Sequence, residues 1–287
     1  MFDYVRNEFN PHPVLVTQVE PAAPGRSVRH LPFSVAPFIA LPADLDALHA
    51  RHGRKYWSTL GRKQRRLCDS FPDARIRVRA TPAEIAEVAP AVRELYAERW
   101  RDEYTGLDWK TPEGFAPYAA AARELAEQDR ALVATLEAGG RLLAFAYCLC
   151  EPPCCHLYQF AATRDARFRA FSPGTLLLQA LVEELTQDPR FGYLDLMLGD
   201  AAYKREWATG TRTVWLRLED GAGRAARARL SVRAALERAK LYVRFGNPRL
   251  RRAAKWALLQ RTRWRDGRRA VAARSRRFTG RRGPHGR

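Results

Sequence analysis

Apolar residues recur at helical spacing at Ile85, Val88, Val92, Leu95 and Tyr96, the clearest periodic run in the chain. Thr81 precedes the run, with Pro82 and Glu84 in the first turn, so a capped helix is expected from Thr81 to about Trp100. Just before it, residues 76–80 alternate apolar positions with Arg77 and Arg79, the period of a half-exposed strand. Residues 44–68 read as helical but are interrupted at Gly53 and Gly61, which leaves one helix or two short ones. An Ala-rich helix is expected over 112–128, after a polar loop containing Gly106.

The centre of the chain is strand-like. Residues 131–136 and 141–150 flank Ala138-Gly139-Gly140, a hairpin signal, and Pro152-Pro153 separates them from a third strand over 155–163. Then come a helix from Ser172 to Thr186, a strand over 193–198, a short helix at 203–207 and a last strand over 213–218. Residues 1–34 are Pro-rich and read as irregular apart from Val14-Leu15-Val16, with a brief apolar stretch following at 35–41. After Gly221, Val232, Leu236, Ala239 and Val243 fall on one face of a basic helix ending at Gly246-Asn247-Pro248. A second basic helix is expected over 249–264, and disorder over 265–287, where Gly, Arg and Ser dominate.

Charge changes this picture. The 287 residues are 46% hydrophobic, enough for a sizeable core, and the formal net charge of +19 suggests an anionic partner. Residues 221–287 hold 22 Lys and Arg against Glu237 and Asp266, while residues 1–220 hold 28 basic and 29 acidic side chains. The globular part is therefore neutral and the charge belongs to the C-terminal segment. That segment suits an anionic membrane surface or an acidic polymer better than nucleic acid, since nothing in it reads bases. The longest apolar run, 142–150, is far below the roughly 20 residues of a membrane span. With a Pro-rich start lacking an apolar signal region and five cysteines in no secreted-domain spacing, the expected location is cytoplasmic, peripheral at the inner membrane face where the tail engages it.

The candidate chemistry lies between Leu157 and Trp207. Ser172 is placed as a helix N-cap, Pro173 where its missing N–H costs nothing, and Gly174 where a ligand could approach closely. Free amides of Gly174, Thr175 and Leu176 would then face an anion; the competing reading is a well-capped helix. Three stretches carry a resemblance: Phe171-Ser172-Pro173-Gly174-Thr175-Leu176-Leu177-Leu178, then Tyr193-Leu194-Asp195-Leu196, then Gly199-Asp200-Ala201-Ala202-Tyr203-Lys204-Arg205-Glu206-Trp207. With Ala36–Pro42 and Arg62-Lys63-Gln64-Arg65-Arg66-Leu67 upstream, residues 35–218 resemble the BioF2-like (CelD/BcsL) branch of the GNAT acyltransferases. The sequence departs from ordinary GNAT enzymes in lacking their Arg/Gln-x-x-Gly-x-Gly/Ala phosphate loop, and it has Ala201 where the branch usually has Glu. The branch often carries a preceding GNAT-like half, which residues 1–34 are too short to supply.

The resemblance implies an α/β (α+β) GNAT fold: a mixed, mostly antiparallel sheet with flanking helices. Residues 1–34 would form an irregular segment, 35–220 the acyltransferase domain, 221–264 a basic helical extension and 265–287 a basic tail. It also implies transfer of an acyl group from acetyl-coenzyme A or another acyl-coenzyme A to an amine, in exopolysaccharide or cell-envelope metabolism. Tyr203 resembles the tyrosine that protonates the leaving thiolate; it could equally be packing. Lys204 would bind a donor phosphate or polarise the acyl carbonyl, or be a solvated surface lysine; it also resembles the active-site lysine of the FemABX aminoacyl-transferases. Asp195 is the candidate general base, or else an ion-pair partner of Lys204 or Arg205. Tyr158 and Gln159 would lie where backbone groups hold the pantetheine, with one of the two side chains facing the cleft. The cluster Cys148, Cys150, Cys154, Cys155 and His156 reads as buried thiols, and no metal is expected. Two other readings stay open: a FemABX-like transferase using aminoacyl-tRNA, and a non-catalytic binding protein held by its tail.

Overall fold

The expected capping box closes at Thr81, whose hydroxyl oxygen accepts the Glu84 N–H while the Glu84 carboxylate accepts the Thr81 N–H. In the hairpin, Gly139 and Gly140 both have positive φ, and their N–H groups donate to the two oxygens of Asp73 at 2.9 and 2.8 Å. These are features of a computed structural model that describes residues 14–16, 19, 21–42, 44–101 and 108–241. Its elements are β1 (Val14–Val16), β2 (Arg26–Ala40), α1 (Leu45–His52), α2 (Arg54–Ser70), β3 (Arg75–Arg79) and α3 (Pro82–Arg99). After a 3-10 turn (Asp108–Lys110) follow α4 (Pro112–Ala126), β4 (Ala131–Ala138), β5 (Arg141–Glu151), β6 (Cys154–Ala162) and α5 (Ala166–Arg169). The chain continues with α6 (Pro173–Gln187), β7 (Tyr193–Asp195), α7 (Ala202–Trp207), β8 (Gly210–Gly221) and α8 (Arg224–Leu241).

The strands form one mixed sheet in the order β1-β8-β2-β7-β6-β5-β4-β3. β3, β4, β5 and β6 pair antiparallel in succession, as do β2 and β7, whereas β6 and β7 run parallel. That parallel pair needs a crossover, and α6 provides it. Leu177, Leu178, Leu181 and Val182 on α6 are all buried against the sheet, with Ala134, Ala146, Cys148 and Leu157 in the same core. The mixed, mostly antiparallel sheet with flanking helices is the fold class expected from the sequence.

Contacts divide the chain into two units. Of the described residues, one unit comprises 16, 32–42, 44–101 and 108–215, and the other 14–15, 19, 21–31 and 216–241. In the larger unit, Gly53 at φ 74° separates α1 from α2, while α2 continues through Gly61. The expected irregular segment 1–34 is corrected in part, because residues 26–34 belong to the 15-residue strand β2. Prolines at 32 and 37 obscure that strand in the sequence, yet proline keeps its acceptor: Pro37 O takes the Leu196 N–H at 2.9 Å.

In the smaller unit α8 buries Ala226, Leu230 and Ala234. Val232 and Leu236, which share one face of the expected helix, point outward. Small residues let this helix approach its neighbours, so the bulkier stripe is the external one. The expected helix over 249–264 and the disordered tail over 265–287 lie outside the described residues.

Candidate active site

β6 and β7 stay paired for three residues only, Cys154 with Tyr193, Cys155 with Leu194 and His156 with Asp195. β6 then runs on to Ala162 bonded to β5, with no β7 beside its other edge among the described residues. The cause is local. Asp195 Oδ1 accepts the Met197 N–H at 2.7 Å, and Met197 takes φ 64°, a conformation incompatible with the pleat. The expected strand over 193–198 therefore ends at Asp195, which leaves a wedge beside β6 where no strand is paired among the described residues.

A cleft of about 350 Å³ lies at the β6 end beside the start of α6. Phe160, Ala162 and Leu178 give it apolar walls, Tyr203 and Trp207 come from α7, and Arg99, Arg164 and Arg169 give it charge. No carboxylate lines it among the described residues. The Tyr203 ring lies 5.4 Å from that of Phe160, and burial pushes its phenol up to about 12. Tyr203 is thus fully protonated at neutral pH.

The start of α6 differs from expectation. Ser172 adopts the left-handed conformation at φ 54°, and its hydroxyl makes no cap bond to the helix. The hydroxyl oxygen instead accepts from Lys63 Nζ of α2 at 2.8 Å. Thr175 and Leu176 donate their N–H groups to Ser172 O at 2.9 and 3.1 Å, so these two amides are not free for a ligand. Gly174 is the one of the three left without a backbone partner among the described residues. A Cβ on Gly174 would lie 3.2 Å from Ala162 Cβ and 3.4 Å from Phe160 Cζ, so glycine here lets α6 sit close on β6. Ser172, Gly174 and Thr175 line the cleft, whereas Leu176 is buried in the core.

Tyr158 and Gln159 do not line it. The β5/β6 register shifts so that Tyr147 faces Gln159 and Cys148 faces Leu157, leaving Tyr158 as the extra residue of a bulge. The Tyr158 ring joins Trp109 at 6.2 Å and Tyr147 at 5.8 Å in an aromatic cluster. What these residues bring to the wedge is the backbone edge of β6.

Lys204 is buried, at 7% exposure, with Nζ donating to Met197 O at 3.1 Å and Leu198 O at 2.7 Å. It ties down the turn that follows β7 and is no surface lysine. Asp195 pairs with neither Lys204 nor Arg205; Arg205 binds Asp200 at 2.7 Å. The Asp195 partners are Arg212 at 3.7 Å and His156 Nδ1 at 4.0 Å, both on Oδ2. Burial lowers the His156 pKa against the opposing pull of Asp195, which favours a neutral imidazole. Cys154 Sγ lies 3.8 Å from His156 Nδ1, and the ligand atoms of Cys154, His156 and Asp195 are all within 4.8 Å of one another. The Arg212 guanidinium already supplies positive charge to this group. Burial pushes the Cys154 thiol up to about 11, so it is no nucleophile at neutral pH.

Sequence reasoning missed Lys63, Arg99, Arg164 and Arg169, which come from three distant segments and form no motif. It also missed His156 and Arg212 as the partners of Asp195. Strand alternation does place His156 on the face of Cys154, but only the parallel register brings Asp195 opposite.

Burial holds the Lys204 ammonium near 8, below its ordinary 10.5, with Asp195 opposing the shift. The folded chain therefore loses this proton before the unfolded chain does. Between about pH 8 and 10.5 the unfolded state binds more protons, so the contribution of Lys204 to stability rises with pH there and is flat below. Lys204→Met is expected to abolish that rise, read as the difference between denaturant midpoints at about pH 7.5 and about pH 10.

A parallel strand pair opening beside a helix start, with a buried tyrosine on the following helix, defines the core of an acyl-transfer fold. The family profile described as Acetyltransferase (GNAT) domain matches residues 39–205, more than half of the chain, and the protein belongs to this GNAT acetyltransferase family. No curated protein sequence matches it. Among solved structures it is similar to a conserved protein of unknown function from Bacteroides thetaiotaomicron (13% identity, TM-score 0.47, 68% of this chain and 62% of that one). FemX is similar over 63% of this chain and 60% of its own, at 11% identity and TM-score 0.45. The PaiA N-acetyltransferase from Thermoplasma acidophilum, solved with coenzyme A, is similar over 52% of this chain and 99% of its own, at 10% identity and TM-score 0.34. The chain spans about three fifths of the length of the first two.

Proposed function

We propose that this GNAT-family protein transfers an acyl group, an acetyl group in the simplest case, from acyl-coenzyme A to an amine by direct attack. The observation that carries the reading is the three-residue β6/β7 pairing, which leaves the β6 edge from Leu157 to Ala162 open beside Tyr203. An extended acyl-pantetheine carries amide groups that match such an edge, and it enters a wedge of this shape as a surrogate strand.

The phosphate end of the donor suits the start of α6. Lys63 sits at the positive end of the helix dipole, where a cation alone is disfavoured. An anion there is bound by Lys63, the Gly174 N–H and Arg169 together. In the reaction the amine nitrogen attacks the thioester carbonyl carbon, a C–N bond forms and the C–S bond breaks. Tyr203 gives its phenolic proton to the departing thiolate, and the proton released by nitrogen passes through water to Asp195, acting with neutral His156, since Asp195 itself does not line the cleft. Lys204 acts as a positioning residue through the Met197 and Leu198 carbonyls.

We assign the chain to the BioF2-like branch, with an amine on an exopolysaccharide or envelope precursor as acceptor, and give residues 221–287 an anionic partner. Calorimetric titration with acetyl-coenzyme A tests the donor. Binding is expected, and Arg169→Glu should weaken it at least about tenfold. Gly174→Glu should abolish it by crowding Ala162 and Phe160 as well as by charge, with thermal unfolding as the fold control. A folded protein that ignores coenzyme A but forms a salt-sensitive complex with aminoacyl-tRNA would move the donor to the FemABX type.

A further inference from the structure

Helix α8 presents two apolar faces where a surface helix needs one. Its inner face is buried through Ala226, Leu230 and Ala234. On the opposite side Ala225, Ala228, Val232, Ala235, Leu236 and Ala239 are all exposed, Val232 at 62% and Leu236 at 59%. These six fall within an arc of about 100° on the helix wheel. Arg229 and Arg233 border that arc on one side, Arg224 and Arg238 on the other. Glu237 is the only acidic residue of α8. Among neighbouring charges, Asp220 binds Arg229 at 2.9 Å and also feels the charge of Arg233.

We infer that this outer face of α8 seats in the interfacial layer of an anionic lipid bilayer, with Val232 and Leu236 entering the acyl boundary and the bordering arginines on lipid phosphates. The inference rests on the anionic-partner reading of residues 221–287 and narrows it to a bilayer; it does not depend on the donor or the acceptor. Four of the six outward residues are alanines, so the apolar stripe is shallow and needs charge to hold it at a surface. Residues 242–287 contribute 16 further Lys and Arg in sequence against Asp266 alone, which adds attraction to the same anionic surface. A nucleic acid or acidic polymer calls for cations across the contact, whereas here the centre is Val232 and Leu236 and the cations lie at its borders. No helix among the described residues is long and apolar enough to cross a membrane, so the contact is interfacial.

The test is flotation of the full chain with vesicles of roughly 30% phosphatidylglycerol in phosphatidylcholine, against pure phosphatidylcholine vesicles. Binding to the anionic vesicles only is expected. Val232→Ser with Leu236→Ser should lower partitioning about tenfold or more, and Ala228→Leu with Ala235→Leu should raise it. All four positions are exposed, so none of these changes touches the core. Unchanged partitioning in both double variants, or preference for duplex DNA over vesicles at equal salt, would overturn the inference. Acyl transfer to a soluble amine is followed in the same samples. Transfer without flotation defeats the bilayer contact alone, and flotation without transfer defeats the catalytic reading alone.

Discussion

Tyr203→Phe is expected to lower kcat about 100-fold or more while leaving the donor KM within about twofold. The ring is held by Phe160 at 5.4 Å in a packed cleft, so phenylalanine keeps the shape and removes only the hydroxyl. A phenol pushed up to about 12 is protonated throughout the working pH range, as an acid for a departing thiolate must be. The reverse outcome is equally clear. Full turnover in Tyr203→Phe would reduce Tyr203 to an aromatic packing α7 on the sheet. A thioester whose leaving thiolate is already stable would discriminate further, since the variant should retain more activity towards it.

The elements that could be read from the sequence are those whose signals are local. The Thr81 capping box, the Gly139-Gly140 turn and the amphipathic run from Ile85 to Tyr96 each contain their whole physical cause within a few residues. β2 could not be read this way, because Pro32 and Pro37 look like breakers until the strand's carbonyls find partners such as Leu196. The end of β7 depends on the Asp195 side chain accepting the Met197 N–H, a bond that apolar alternation does not encode. The Ser172-Pro173-Gly174 start correctly located α6 but not its chemistry. The Ser172 hydroxyl turns to Lys63, 109 residues earlier in sequence, and the Thr175 and Leu176 amides close the first turn.

Motif resemblance brought Tyr203, Asp195 and Lys204 to attention, and the fold sorts them into different jobs. Tyr203 faces the cleft, Lys204 is turned onto two carbonyls, and Asp195 stands at the last paired position of the two strands. A binding protein that had lost catalysis would need the cleft and the β6 edge but not a protonated tyrosine inside it. Turnover in Tyr203→Phe is therefore the measurement that separates catalysis from mere binding.

Asp195→Asn is expected to fold and to lose about 100-fold or more in turnover. The asparagine Oδ1 can still accept the Met197 N–H, so the bond that ends β7 survives. The negative charge facing His156 and Arg212 is lost, but Arg212 is about a third exposed and keeps its place over the Phe38 and Tyr193 rings, so the stability cost should be small. Asp195→Ala removes the turn bond as well and should be the less stable of the two, shown by a lower denaturant midpoint. The pair of variants separates proton transfer from architecture. If Asp195 only orders the wedge, Asp195→Asn keeps most of the activity and Asp195→Ala loses it in step with stability. If Asp195 with His156 takes the amine proton, both variants lose turnover alike, and the loss in Asp195→Asn exceeds anything its stability explains. A pH profile completes the argument: wild-type kcat/KM should fall on the acid side as His156 gains a proton below its ordinary 6.5, and that limb should move to lower pH in Asp195→Asn, where the carboxylate that raises the His156 pKa is gone.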